Sequence, residues 1–191
     1  MIYTLQGTLT AVKENFAVVE TGGLGFKVHC SPATRSQLPP PGSRAKLFCF
    51  LYVRENALDL YGFLSEDELK LFELLNSISG VGPKLSLGIL SVSEAKYVRA
   101  AIKEGRTELL TKASGIGKRT AERIILELKN KVEAVDAKET VRTMEAATDL
   151  EETLTALGYS KAQARKAVEK IPASAKGFEE KLREALKTLK K

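Results

Sequence analysis

Between residues 2 and 63 apolar and polar positions alternate in short runs. Ile2-Tyr3-Thr4-Leu5 and Phe16-Ala17-Val18-Val19 are rich in β-branched and aromatic residues. Gly22-Gly23-Leu24-Gly25 then turns the chain into a stretch where Phe26, Val28 and Cys30 alternate with Lys27 and His29. A period of two with one polar face predicts a half-buried strand. Pro39-Pro40-Pro41-Gly42 interrupts the pattern. A longer strand is predicted over 46–54, and a last one over 58–63 returns after a short turn at Glu55-Asn56-Ala57. Five strands in about sixty residues, with no long helix among them, predict a small closed barrel of the OB-like type over 1–63.

At residue 65 the period changes. Ser65-x-x-Glu68 has the spacing of a capping box, and Leu69, Phe72 and Leu75 trace a helical stripe that ends near Gly80. Short helices are predicted over 83–90, 93–104 with Ser93 as its cap, 107–113 and 118–131, which makes 64–131 an all-α block. Residues 132–148 are polar and of mixed charge. They are expected to form a flexible linker, with a frayed helical extension as the alternative. Three further helices follow: 149–157, stopped by Gly158; 161–171, capped by Ser160 and ended by Pro172; and 178–189. Leu150, Leu154, Leu157, Val168, Leu182, Leu186 and Leu189 fall at helical spacings and are expected to be the core of this domain, 149–191. The fold class expected is α+β and multidomain: barrel, all-α block, linker and three-helix domain.

Scarce residue types remove whole classes of chemistry. The chain of 191 residues holds one histidine and two cysteines. His29 alone cannot build a zinc site that needs several imidazoles, and Cys30 and Cys49 do not have the spacing of a zinc knuckle. His29 reads as a strand residue at the surface, and the cysteines as small apolar strand residues kept reduced. No GxxxxGK[ST] loop or GxSxG elbow occurs. No cofactor, metal or catalytic residue is expected. No apolar run approaches the roughly 20 residues that span a bilayer, and the first residues lack a signal-peptide pattern, so a soluble, cytoplasmic protein is expected. The net charge of +6 leans toward nucleic acid but does not by itself select it.

An internal repeat does select it. Ser79-Gly80-Val81-Gly82-Pro83-Lys84 recurs 35 residues later as Ser114-Gly115-Ile116-Gly117-Lys118-Arg119. Each copy follows one predicted helix and opens another. Glycines let backbone approach a ligand closely, and the helix that follows offers unpaired N–H groups at the positive end of its dipole. One such copy could be no more than a tight turn. Two copies, each with a basic residue alongside, point to phosphate contact. The pair resembles the helix-hairpin-helix motif, a grip on the DNA backbone that positions without reading bases. Gly80, Val81, Gly82, Gly115, Ile116 and Gly117 would meet phosphate through the main chain, and Lys84, Lys118, Arg119 and Arg123 would add charge.

With the barrel ahead of it, this arrangement resembles the RuvA family of Holliday-junction-binding subunits over essentially the whole chain. MIYTLQGTL at 1–9, LYVRENALDLYGF at 51–63, GVGPKLSLGIL at 80–90 and GIGKRTAERIILELK at 115–129 carry the resemblance. It implies a non-catalytic subunit that binds four-way junction DNA, holds it open and square, and recruits the RuvB ATPase through residues 149–191. That activity serves branch migration in DNA recombination, in the repair of DNA damage and in the SOS response. It further implies a homotetramer, with an octamer sandwiching the junction as the alternative, and the RuvC resolvase as another partner. The family also carries an acidic pin at the junction centre, normally two adjacent acids. Here the pair is Glu55 and Asn56, so one of the two charges is missing. Asp59 stands nearby as a candidate to compensate, and Arg54 could neutralise the pin or contact DNA.

Two other readings compete. A DNA-repair enzyme could use the same hairpins, but would need a catalytic lysine and acid or a metal site beside them. A single-strand-binding barrel would use Tyr52 and Tyr61 as stacking platforms, although alternating strand aromatics more often pack a core. It would leave both hairpins unexplained.

Overall fold

The N-terminal alternation closes into a barrel. A computed structural model describes residues 1–134, 136–172, 174–175 and 177–189, which divide into two compact units, Met1–Ala137 and Lys138–Lys191. In the first unit, strands β1 (Thr4–Val12), β2 (Phe16–Thr21), β3 (Leu24–His29), β4 (Arg44–Arg54) and β5 (Ala57–Phe63) close in the order β1-β2-β3-β5-β4. Neighbours run antiparallel except β3 and β5, which pair in parallel through Val28 with Leu60 and His29 with Tyr61. Alternate residues fill the interior: Leu5 and Leu9, Ala17 and Val19, Leu47 and Cys49 are all buried, with Val28, Cys30 and Leu60 between them. A short helix that the alternation did not predict, α1 (Pro32–Ser36), bridges β3 and β4. Its signal is local: Ser31 accepts from the Thr34 N–H and Pro32 stands at the first turn.

Burial pushes the Cys30 thiol up to about 12 and the Cys49 thiol to about 11 from an ordinary 9.0. Both thiols therefore hold their protons more tightly in the folded barrel than in the unfolded chain. The stability this contributes is complete below pH 9.0 and is lost as pH rises through about 11 to about 12. Neither cysteine should react with an aromatic disulfide reagent at about pH 8 until denaturant is added, because burial leaves no accessible thiolate. The urea midpoint should fall progressively in alkali; fast native-state labelling would contradict the assignment.

The helical block begins at α2 (Glu66–Asn76), where Ser65 accepts from the Glu68 N–H at 3.1 Å as its spacing predicts. The Glu68 carboxylate accepts in turn from the Leu64 N–H at 3.3 Å. Phe72 fixes this helix to the barrel: its ring lies 4.9 Å from Phe63, 5.3 Å from Phe50 and 5.4 Å from Tyr61, centre to centre. Helices α3 (Pro83–Val92), α4 (Ala95–Glu104), α5 (Thr107–Leu110) and α6 (Lys118–Leu128) follow. Glu94, not Ser93, precedes α4, because α3 continues to Val92 and Ser93 is extended behind it. Arg99 of α4 ties back to α2, donating to the Asp67 carboxylate at 2.7 Å and its carbonyl at 2.9 Å.

The second unit holds α7 (Ala137–Ala156) from Lys138 onward, α8 (Lys161–Glu169) and α9 (Gly177–Leu189). The expected linker, 132–148, is thus helical from Ala137 onward, the alternative reading of that stretch. Val141, Met144, Ala147, Leu150 and Leu154 do lie three or four apart, but a stripe partly built of small side chains stands out poorly from its polar surroundings. Ser160 and Gln163 form a complete capping box on α8. Leu154, Ala164, Ala167 and Ala185 make the buried centre, with Val168, Leu182, Leu186 and Leu189 packed around it. Leu157, expected inside, is 57% exposed: it follows the last residue of α7 and falls outside the stripe. Positions 173, 176, 190 and 191 of the expected three-helix domain, and 135 of the expected linker, lie outside the described residues. No helix among the described residues is long and apolar enough to cross a membrane.

Candidate nucleic-acid interface

The two copies of the repeat adopt one backbone. Gly80 and Gly115 both sit at φ 84°, a left-handed conformation that a residue with a Cβ rarely takes. One residue on, the Val81 N–H donates to the Ile78 carbonyl at 2.9 Å and the Ile116 N–H to the Ala113 carbonyl at 3.1 Å. Val81 and Ile116 are buried and pin their turns to the core. Gly82 and Gly117 then start α3 and α6 in extended conformations, φ −86° and −82°, with no side chain capping either helix. The first backbone bonds along these helices are Ser86 N–H to the Gly82 carbonyl and Ala121 N–H to the Gly117 carbonyl, each 3.0 Å. The N–H groups of Lys84 and Leu85, and of Lys118, Arg119 and Thr120, precede those bonds and have no intrahelical acceptor. Each uncapped, positively polarised end is open to an anion, with the exposed Lys84 and Arg119 at equivalent places beside it.

The hairpins also hold each other. Arg123 of α6 donates to the Ser79 carbonyl in the first turn at 2.9 Å. Its counterpart 35 residues earlier, Gly88 of α3, approaches Ser114 in the second turn; a Cβ there would lie 4.0 Å from the Ser114 carbonyl oxygen. Leu85 of α3 likewise lies against Gly115, so close that a Cβ on the glycine would stand 2.8 Å from its Cδ2. Each glycine turn rests on the second helix of the other hairpin. Arg123, expected among the phosphate ligands, has a second role: one of its guanidinium N–H groups holds the first turn against α6. Leu85 and Gly88 were missed as partners in this contact. The repeat offset was the available signal, since it makes positions 88 and 123 equivalent.

On the barrel, Glu55 and Asn56 form the two-residue turn between β4 and β5, closed by the pair Arg54 and Ala57. Both turn residues are exposed. Arg54 does not pair with Glu55. Its Nη2 donates to Asp59 Oδ2 at 2.7 Å, and its guanidinium carbon lies 5.5 Å from the centre of the Tyr52 ring. The hydrogen bond to Asp59 raises the Arg54 guanidinium above its ordinary value. Asp59 Oδ1 stands 3.9 Å from Nε2 of His29, whose ring packs on Tyr61. A cleft of about 790 Å³ runs from this cluster to the start of α3, with Tyr52, Arg54 and Asp59 on one side and Gly82, Lys84 and Leu85 on the other. The end of β4, with Asp59 opposite it, and the first hairpin therefore border one concave surface.

Tyr61 is 9% exposed, and its ring lies among His29 and Phe72. Tyr52 stacks on Phe50 and carries Arg54. These rings pack the barrel and its wall and do not form a free platform for bases. Among the described residues there is no group of three or more histidine, cysteine or acidic side chains placed to hold a metal ion.

Comparison with known proteins agrees along the length of the chain. Residues 1–62 match a family model described as the RuvA N terminal domain, 72–130 one described as a SAM-like helix-hairpin-helix tandem, and 145–190 one described as the RuvA C-terminal domain. A protein of Dehalococcoides mccartyi is 43% identical over 172 residues, covering 90% of this chain and 89% of its own. One from Caldanaerobacter subterraneus is 42% identical over 193 residues and covers both chains completely. One from Chlorobaculum tepidum is 42% identical over 194 residues, 97% of this chain and 96% of its own. Each of the three is named Holliday junction branch migration complex subunit RuvA.

Proposed function

Because the chain belongs to the RuvA family, we propose that it binds four-way (Holliday) DNA junctions and serves as the DNA-binding subunit beside a RuvB motor in branch migration. One observation carries the reading: two glycine turns of equal geometry, each opening onto an uncapped helix with a basic side chain beside it, are locked together in one rigid pair. Two neighbouring anion sites suit the phosphates of a duplex, and main-chain contacts of this kind grip the backbone without regard to sequence.

The division of labour follows the modules. Residues 64–131 hold a DNA arm at the two glycine turns, where Gly80, Gly82, Gly115 and Gly117 bring backbone close to phosphate, the buried Val81 and Ile116 pin the turns through N–H groups already bonded within them, and Lys84, Lys118, Arg119 and Arg123 supply charge. The barrel, 1–63, aims the Glu55–Asn56 turn at the centre of the junction. There a carboxylate repels phosphate and opposes re-pairing of the strands. The C-terminal domain, 149–191, takes the motor. ATP hydrolysis belongs to RuvB, and this subunit acts in the cytoplasm without a cofactor or a catalytic residue of its own. A homotetramer matches one subunit to each arm of a four-armed ligand, since closed cyclic assemblies repeat one surface. A second tetramer on the opposite face would make the octamer, and a single tetramer leaves that face open to RuvC.

The test is a competition gel shift with the full chain in EDTA, at moderate salt. A synthetic immobile four-way junction should outcompete linear duplex of equal length and single strand. Equal affinity for junction and duplex would reduce the protein to a general backbone binder. Preference for single strand would return the function to the barrel, and cleavage of any substrate once Mg²⁺ is added would make the chain an enzyme.

A further inference from the structure

The turn between β4 and β5 carries one acid where two would double its charge, and the structure bears on how the single charge is kept effective. Arg54 adjoins Glu55 in sequence, so a cation stands beside the carboxylate meant to repel phosphate. Left free, its long side chain could reach forward to a DNA strand or sideways to Glu55, and either would cancel the turn's negative character. It is not left free. In the β4–β5 register Tyr52 faces Asp59 and Arg54 faces Ala57, which puts Arg54, Tyr52 and Asp59 on one face of the hairpin. Arg54 reaches diagonally back along this face to Asp59 at 2.7 Å, over the Tyr52 ring. The Asp59 side chain is 24% exposed and the Arg54 side chain 57%, so the carboxylate end of the pair is seated in the barrel wall. His29 stands on the other side of Asp59, 3.9 Å from its second oxygen.

We propose that Asp59 is a positioning residue: it latches Arg54 back against the barrel wall, so that a strand passing the turn meets the Glu55 carboxylate and not the Arg54 cation. Asp59 does not replace the missing acid by adding charge at the tip. It removes a cation from it, and with Arg54 and Asp59 neutral as a pair, Glu55 is the one uncompensated charge between residues 54 and 59. This inference rests on the junction-binding reading above.

The test compares the full-length chain with Asp59→Asn, measuring affinity for an immobile four-way junction and for linear duplex across a salt series. Freed in Asp59→Asn, Arg54 gains a phosphate near the junction centre. For each subunit that gains the contact, junction affinity should rise about 8-fold at about 0.1 M salt and the slope of log K against log salt should steepen by about 0.9. Affinity for linear duplex, which has no centre to meet the turn, should stay as it was. Adding Arg54→Gln to Asp59→Asn should abolish the gain, which a merely structural role for Asp59 would not produce. An unchanged junction slope in Asp59→Asn, or a gain that survives in the double variant, would overturn the latch while wild-type junction preference left the function intact. Loss of that preference in the wild type would instead defeat both. Should Asp59→Asn not fold, the unsubstituted chain still decides the matter. Its Arg54 guanidinium NMR signals should show slower rotation about the Cζ–Nε bond than those of the exposed Arg119, and equally fast averaging would overturn the proposal.

Discussion

Replacing Lys84 and Arg119 together by alanine should weaken junction binding by about 60-fold for each chain in contact with DNA at about 0.1 M salt, and flatten the salt dependence by about 1.8. Their place in the fold sets the size of this effect. Each is exposed at the second position of a helix whose N-terminus carries no side-chain cap, beside a glycine turn. If each neutralises one phosphate, removing both forfeits the counterions that two contacts release. Neither side chain takes part in the contact between the hairpins, so the fold should be untouched. Far-UV circular dichroism and the urea midpoint should match those of the unsubstituted chain. The loss should also be the same for junctions of different sequence, because these contacts read no bases. A loss confined to particular sequences, or a full affinity loss with unchanged salt slope, would exclude phosphate contact as their role. Arg123→Ala should behave differently. It removes the bond from α6 to the Ser79 carbonyl, so it should lower stability as well as affinity.

The largest effect on folding is expected at Gly7, on the inner side of β1 between Leu5 and Leu9. A Cβ there would stand 2.1 Å from the carbonyl oxygen of Glu20 and 2.9 Å from its carbon. Those atoms are backbone of β2, so no side chain can swing aside to make room. Gly7→Ala should force β1 and β2 apart where they pair through Thr8 and Glu20, at a cost of about 3 kcal/mol or more. Against a typical total of about 5–15 kcal/mol, that is a large share of the stability of the unit. Gly25→Ala is the matched comparison. Its Cβ would meet only Val18 Cγ1, at 3.6 Å, an ordinary contact. Urea unfolding of the two variants should separate them clearly; equal midpoints would show that the barrel can yield at Gly7.

Features that depend on near neighbours are written into the chain directly. The barrel strands follow from alternation, because a strand turns successive side chains to opposite faces. The caps at Ser65 and Ser160 follow from bonds that reach only three residues. Both glycine turns were legible because the same short string occurs twice, and their shared φ of 84° shows that the repeat encodes one local conformation. The helix from Ala137 was harder to see for a local reason as well: small and polar side chains carry much of its stripe, so pattern alone could not separate linker from helix. Tertiary structure decided the rest. Arg54 lies beside Glu55 in the chain but pairs with Asp59, because strand register and not sequence distance sets which side chains share a face. In the sequence Arg123 is one more basic residue beside the second glycine turn, and nothing local shows that it closes on a carbonyl 44 residues away. Leu85 and Gly88 became legible as partners of the opposite turn only once the two hairpins were packed together. A side chain's type and periodicity say whether it will be buried or wet. Which distant atom it meets is settled by the closure of the barrel and the docking of the hairpins.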